Sequence, residues 1–183
     1  MITIRQERKS DTAAREALLD AAYGDVRFAK PSERLRRNAM PAAGLSFVAV
    51  ENASVIGTVR LWNMAAGPTR PALLLGPLAV DPGCRRRGIG SALMRRALAA
   101  ARRRGHQAVL LVGDASYYGR FGFSAETTRA LWLPGHYEPD RLLGLELQPG
   151  ALRDVRGTIR LPTAPVARRV ADARRDRIAP CAA

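Results

Sequence analysis

The sequence predicts an α/β (α+β) fold, and three observations carry that reading. Leu73, Leu74, Leu75, Leu78, Ala79 and Val80 form an apolar run suited to a buried strand, with Gly76-Pro77 as a local irregularity. A helical pattern follows, with Ile89, Leu93, Ala97 and Ala101 on one face, widened by Met94, Leu98 and Ala100; Arg95, Arg102 and Arg103 fall elsewhere. Leu45 to Glu51 and Val55 to Met64 read as two strands joined at Asn52-Ala53-Ser54.

Taken in order, Ile2, Ile4 and Gln6 alternate with polar partners as a first strand. Ser10-Asp11 offers an N-cap to a helix through Ala14, Leu18, Leu19 and Ala22, which ends near Gly24. Pro31 to Asn38 reads as a short second helix, with Pro41 and Gly44 as breakers. The run from Val55 mixes polar and apolar residues on both faces, as a sheet bordering a cleft does. Gly67 to Pro71 is a loop. The central strand and helix follow, and Gly105 stops the helix. Ala108 to Val112, Leu131 to Leu133 and Leu142 to Leu147 read as further strands, with a loop from Pro134 to Pro139 and a last extended piece at Thr158 to Leu161.

Composition bounds what such a fold does. At 183 residues the chain suits one domain. It has no apolar run of the ~20 residues needed to span a bilayer, and no signal-peptide core at Met1 to Arg5. Two cysteines, Cys84 and Cys181, and two histidines, His106 and His136, indicate neither a disulfide framework nor a metal centre, so a cytoplasmic protein is expected. The net charge of +14 attracts anions, but aromatics make up only 5% and do not interleave with the arginines. No specific nucleic acid is therefore expected, and no membrane. Residues 166–183 read as a basic, flexible tail behind a domain of residues 1–165.

The turn between the central strand and its helix carries the chemistry. Asp81-Pro82-Gly83 ends the strand, and Arg85-Arg86-Arg87-Gly88-Ile89-Gly90-Ser91 leads into the helix. Such a turn aims free N–H groups and the positive end of the macrodipole at whatever lies above it. Glycine allows close approach, and arginine forks suit phosphate oxygens, so the site fits a pyrophosphate. A dinucleotide fingerprint would need a third glycine where Leu93 stands, although Asp114 fits a ribose-binding acid. A P-loop fails for want of Gly-Lys-Ser/Thr.

Val80-Asp81-Pro82-Gly83-Cys84-Arg85-Arg86-Arg87-Gly88-Ile89-Gly90 resembles the coenzyme A loop of the GNAT N-acetyltransferases, V-x-P-x-x-[QR]-x-x-G-x-[GA], at every specified position. Ser116-Tyr117-Tyr118-Gly119-Arg120-Phe121-Gly122-Phe123 is similar to that superfamily's Y-x-x-x-G-F segment, with Tyr118 in the tyrosine's place and Tyr117 the alternative one register earlier. The short Gly113-Asp114-Ala115-Ser116 approach, with Leu147-Gln148-Pro149-Gly150-Ala151-Leu152 later, looks like the bacterial YhbS-like branch. The resemblance spans roughly residues 1 to 162. It implies the GNAT acyl-CoA N-acyltransferase fold, a mixed central sheet flanked by helices, with a V-shaped cofactor cleft between Leu75–Val80 and Ala108–Val112.

The resemblance also implies acetyl transfer from acetyl-CoA to a small-molecule or peptide amine by direct attack, in a monomer or homodimer. The alternative is a non-catalytic coenzyme A sensor on the same fold. Backbone from Arg86 to Ser91 would hold the pyrophosphate, the side chains of Arg85, Arg86 and Arg87 would lie near the adenosine phosphates, and the main chain of Leu78, Ala79 and Val80 would meet the pantetheine arm. An N–H near Leu78 would face the oxyanion, and Tyr118 would protonate the thiolate. The base that strips the ammonium stays open among Asp114, Glu51 and His136. Phe28 and Arg34 are candidates for the acceptor side, with packing and solubility as their simpler roles. Cys84 has no base partner near in sequence for a nucleophilic role.

Overall fold

Short alternating runs and one continuous apolar run build the sheet, and a single amphipathic helix covers one of its faces. The computed structural model describes residues 1–37 and 39–162. Its strands are β1 (Thr3–Gln6), β2 (Pro41–Glu51), β3 (Ser54–Ala66), β4 (Arg70–Val80), β5 (Ala108–Val112), β6 (Leu131–Trp132), β7 (Leu142–Glu146) and β8 (Gly157–Thr158). The helices are α1 (Thr12–Tyr23), α2 (Pro31–Arg37), α3 (Ile89–Arg103) and the single turn α4 (Ala115–Tyr118). Six strands form one sheet in the order β1-β2-β3-β4-β5-β7, and β6 and β8 pair separately. The expected tail, 166–183, lies outside the described residues.

Within the main sheet only β4 and β5 are parallel, and their pairing is confined to Leu73–Val109 and Leu74–Leu110. Beyond Leu74 the two strands diverge. The cause lies in β4. Val59 pairs with Leu78 but Leu61 pairs with Leu75, so β4 carries one residue more than β3 across Gly76-Pro77. That is a β-bulge, which bends a strand and breaks its ladder locally. The irregularity read from the sequence is therefore the feature that opens the sheet.

Alternation along β4 divides the core. Leu73 and Leu75 face α3, where Leu93, Met94 and Ala97 are fully buried against Phe47, Leu61 and Val109. Leu74 faces the opposite layer with Met64, Leu110, Leu131 and Ile159. Past the bulge, Ala79 meets Leu18 and Leu19 of α1 on that same side. Gly57 lets α3 settle closely, since a Cβ there would stand 3.0 Å from Leu93 Cδ1 and 3.1 Å from Ile89 Cγ2. Four large apolar side chains on α3, each contributing about 1.5–3 kcal/mol on burial, outweigh its weak N-terminal capping.

Some boundaries differ from the sequence reading. The second helix ends at Arg37, ahead of Pro41 as expected, but β2 already begins at Pro41 and not at Leu45, and its register slips between Pro41 and Ser46. The β3–β4 hairpin is longer than its apolar runs, because small residues at Ala65, Ala66 and Ala72 still find buried places. The expected strand at Leu131 to Leu133 shrinks to β6, paired in parallel with β8.

Asp11 stands at the N-cap position of α1, yet its carboxylate caps nothing in that helix. It accepts from the Arg5 guanidinium at 2.7 and 2.8 Å and from Arg8 N–H at 2.7 Å, tying β1 to α1. The hydrogen-bonded Arg5 fork holds the Asp11 carboxyl at about 2, below its ordinary 3.8. A depressed carboxylate pKa stabilises the fold above the ordinary value and loses that contribution as pH falls through the depressed one. Arg5→Met should therefore be less stable than the parent near neutrality by urea denaturation. The gap should close as pH falls from about 4 to about 2, the window those two values define.

Candidate active site

The divergence of β4 from β5 leaves a cleft of about 350 Å³. Leu78 and Val80 of β4 form one wall, and Gly113, Asp114, Tyr117 and Tyr118 form the other. Gly90 of α3 and Arg141, just ahead of β7, complete it.

Main-chain polarity on the β4 wall follows from the ladder. Asp81 N–H donates to Ile56 C=O at 2.9 Å, so Asp81 faces β3. In an antiparallel pair successive residues face alternate sides, so Ala79 also faces β3, while Leu78 and Val80 turn their N–H and C=O groups to the cleft. The Tyr23 hydroxyl reaches Leu78 C=O from that side, which agrees. Ala79 is thus within the predicted stretch but points its main chain away from the opening.

At the other end the Arg86 and Gly88 backbones are left-handed, with φ +62° and +75°. A Cβ on Gly88 would meet nothing within 4 Å, so conformation and not space demands glycine there. Gly88 has no side chain to cap α3, leaving the first-turn N–H groups of Ile89, Gly90 and Ser91 without intrahelical partners. At Gly90 a Cβ would stand 2.9 Å from the Tyr117 hydroxyl and 3.6 Å from Val80 Cγ2, so the helix start, the β4 wall and Tyr117 converge.

The three arginines divide. Arg85 and Arg86 are exposed and make no ion pair among the described residues. Arg87 instead forms a bidentate pair with Glu51 at 2.7 and 2.8 Å, and its Nη1 lies 3.6 Å from Cys84 Sγ. Its guanidinium is committed to the β2–β3 end. Glu51, one of the candidate bases, is committed with it and lies outside the cleft lining; hydrogen bonding from Arg87 holds its carboxyl below the usual range.

Asp114 does line the cleft, but it accepts from Ser116 N–H at 2.7 Å as the cap of α4. Hydrogen bonding from Ser116 holds its carboxyl below the ordinary value, which weakens it as a base. His136 is exposed in the loop ahead of β7 and is not part of the lining.

The two tyrosines are set apart by their neighbours. Tyr117 lies edge-on to Tyr118, centroids 4.9 Å apart, under the Arg120 guanidinium. Tyr118 packs over Gly113, where a Cβ would come within 2.2 Å of its ring, and edge-on to Phe123. Burial, and then the phenols of Tyr23 and Tyr117, raise the Tyr118 hydroxyl above the ordinary tyrosine value. It keeps its proton at neutral pH.

Four residues that the sequence did not single out bear on the site: Arg141 lines the cleft, while Tyr23, Trp62 and Arg36 reach the backbone of its β4 wall between Gly76 and Leu78. Trp62 Nε1 donates to Gly76 C=O at 2.5 Å, pinning the bulge. Trp62 was visible as a polar-tipped aromatic one strand from Gly76-Pro77, and Arg141 as the basic residue ahead of a strand beside Val112. Tyr23, at the end of a helix, carried no signal. Phe28 is exposed and holds the Arg27 guanidinium 4.4 Å from its ring, with no place in the lining. A separate hollow of about 390 Å³ beside Glu126 and Arg153 contains none of the predicted site residues. Among the described residues no helix is long and apolar enough to cross a membrane, and no group of three His, Cys, Asp or Glu could hold a metal.

Comparison with known proteins converges on the same fold. No curated protein matches the chain. The GNAT family N-acetyltransferase YhbS from Escherichia coli, solved in complex with CoA, is similar at 27% identity and a TM-score of 0.74, over 88% of this chain and 89% of that one. A GNAT family acetyltransferase from Brucella melitensis, solved with acetyl-CoA, is similar at 27% identity and TM-score 0.68, over 89% and 97%. The ribosomal-protein-S18-alanine N-acetyltransferase from Escherichia coli shares the fold at 17% identity and TM-score 0.54, over 81% and 95%. The model of the Acetyltransferase (GNAT) family matches residues 12–123, more than half of the sequence, and the chain belongs to that family.

Proposed function

We propose that the protein is an acetyl-CoA-dependent N-acetyltransferase acting on a primary amine, with the cleft between β4 and β5 as its active site. The observation that carries this reading is the open β4 edge, whose Leu78 and Val80 main chain faces a cleft that ends at the uncapped start of α3. A string of amides pairs with such an edge as an added strand, and a pyrophosphate suits the helix start. Similarity to structures solved with CoA and acetyl-CoA supports the same donor.

Each residue then has a distinct task. Ile89, Gly90 and Ser91 N–H groups hold the pyrophosphate, with the free forks of Arg85 and Arg86 close by. Val80 offers both a donor and an acceptor to the pantetheine arm. Leu78 N–H stabilises negative charge at the acyl oxygen. Acetyl-CoA supplies the activated thioester and a thiolate leaving group. Tyr118, kept protonated by its surroundings, gives a proton to that sulfur. Asp114, Glu51 and His136 are each poorly disposed to take the amine's proton directly, so water at the exposed mouth of the cleft is the proton's route.

The direct test is ligand stabilisation. Acetyl-CoA at a hundredfold excess over Kd contributes about 2.7 kcal/mol, which should raise the melting temperature by roughly 5–10 °C. Gly90→Glu, which places a carboxylate at the helix start against Tyr117, should abolish that shift. No shift in the parent protein at about millimolar acetyl-CoA would overturn the reading. With an acceptor in hand, Tyr118→Phe should lower kcat by about 10²-fold or more, the range of lost general acid help, and leave the acetyl-CoA-induced shift intact.

The seat of Tyr118 gives a second test. Gly113→Ala drives a methyl into the Tyr118 ring and should cost about 1–3 kcal/mol by urea denaturation. Gly119→Ala, where the backbone is helical and a Cβ meets nothing, should be neutral or stabilising by up to about 1 kcal/mol. Equal effects at the two sites would mean that the ring does not sit on Gly113.

A further inference from the structure

The Leu78 carbonyl in the cleft already has a partner. Tyr23 donates its hydroxyl to that oxygen from the end of α1, where Leu18, Leu19 and Ala79 pack beside the ring and Lys30 Nζ lies 4.4 Å from its centroid. On the other side of Pro77, Trp62 Nε1 donates to Gly76 C=O at 2.5 Å. The buried Arg36, paired with Glu33 at 2.7 Å, brings Nη1 to 3.1 Å from where a Gly76 Cβ would stand.

These contacts fall on one short stretch. A bulge is poorly held by its ladder because its extra residue has lost a strand partner. Here the peptide planes Gly76–Pro77 and Leu78–Ala79 are fixed by side chains from β3 and α1. They bracket the Pro77–Leu78 plane, which carries the Leu78 N–H. In an extended residue N–H and C=O point to the same side, so holding the Leu78 carbonyl toward the cleft also aims its N–H there. The phenol has a second effect. With its carbonyl engaged, Leu78 presents a donor to an electron-rich acyl oxygen and no competing acceptor.

We propose that Tyr23 is a positioning residue for acyl transfer, whose hydroxyl locks Leu78 so that its N–H faces the acyl oxygen. The proposal rests on the reading that acetyl-CoA occupies the cleft. It leaves the two main-chain positions unequal, with Leu78 serving as donor to the acyl group and Val80 as donor and acceptor to the arm.

The test binds acetyl-CoA with an isotopically labelled thioester carbonyl to the full chain and reads the carbonyl stretch by infrared difference. In the parent protein the stretch should lie below that of free acetyl-CoA. In Tyr23→Phe it should move back toward the free value, and the preference for acetyl-CoA over CoA should fall about threefold to tenfold, the value of one net hydrogen bond. Ala17→Gly, at an exposed position inside α1 that does not pack with Tyr23, loosens the helix but keeps the phenol and its seat, and should retain the parent stretch. An unmoved stretch in Tyr23→Phe, or an equal movement in Ala17→Gly, overturns the proposal while leaving acetyl-CoA binding intact. A parent protein whose bound stretch equals the free one overturns it without any variant. A parent protein that binds no acetyl-CoA overturns the functional reading as well.

Discussion

The parallel ladder between β4 and β5 stops after two residue pairs, and the rest of the molecule is arranged around that interruption. Main-chain N–H and C=O groups demand partners, and a strand edge in the middle of a sheet that lacks them is costly. The chain meets the demand unevenly. Side chains take the carbonyls of Gly76 and Leu78, while the Leu78 N–H and both groups of Val80 stay turned to the cleft. A sheet closed along its whole length would be more stable and would have no wall of this kind. The bulge at Gly76-Pro77 therefore trades ladder bonds for a surface that a chain of amides can complete.

Arginine serves two purposes around this opening. Inside the fold, guanidinium forks bind elements together: Arg5 to Asp11, Arg15 and Arg60 to Glu7, and Arg36 to Glu33. A planar fork can match a carboxylate in two bonds, and its stem covers apolar surface, so these pairs sit buried or half-buried with their charges matched. At the loop before α3 the division is sharper. Arg87 is used to brace the loop against β2 through Glu51, which leaves Arg85 and Arg86 as the charges open to an anion. The loop is shaped by its own ion pair before any ligand arrives.

Much of this was legible in the sequence, and the reasons differ from element to element. The strand–turn–helix unit was readable because its periodicity is strong: Leu93, Met94 and Ala97 land on the buried face their spacing predicts. Gly88 was readable from its place in the loop signature, although what requires glycine there, a left-handed backbone, is visible only in the structure. Side-chain commitments were not readable. Arg87 looked equivalent to Arg85 and Arg86 in a row of three, and only the register of β2 against β3 brings Glu51 within reach. Asp114 carried the right chemistry for a base but is spent as a cap, a local hydrogen bond that acidic residues ahead of short helices readily make. Tyr23 lay furthest from detection, since its partner is a main-chain oxygen 55 residues away.

The predominance of arginine has a chemical consequence for a protein that handles a reactive thioester. Of 30 basic residues only Lys9 and Lys30 are lysine. A guanidinium stays protonated at any physiological pH and has no lone pair to offer an acyl group, whereas an ammonium is always in exchange with a nucleophilic amine. The positive surface at the mouth of the cleft can thus draw in an anionic donor while remaining inert toward it. Among basic side chains, only Lys9 and Lys30 could be acylated.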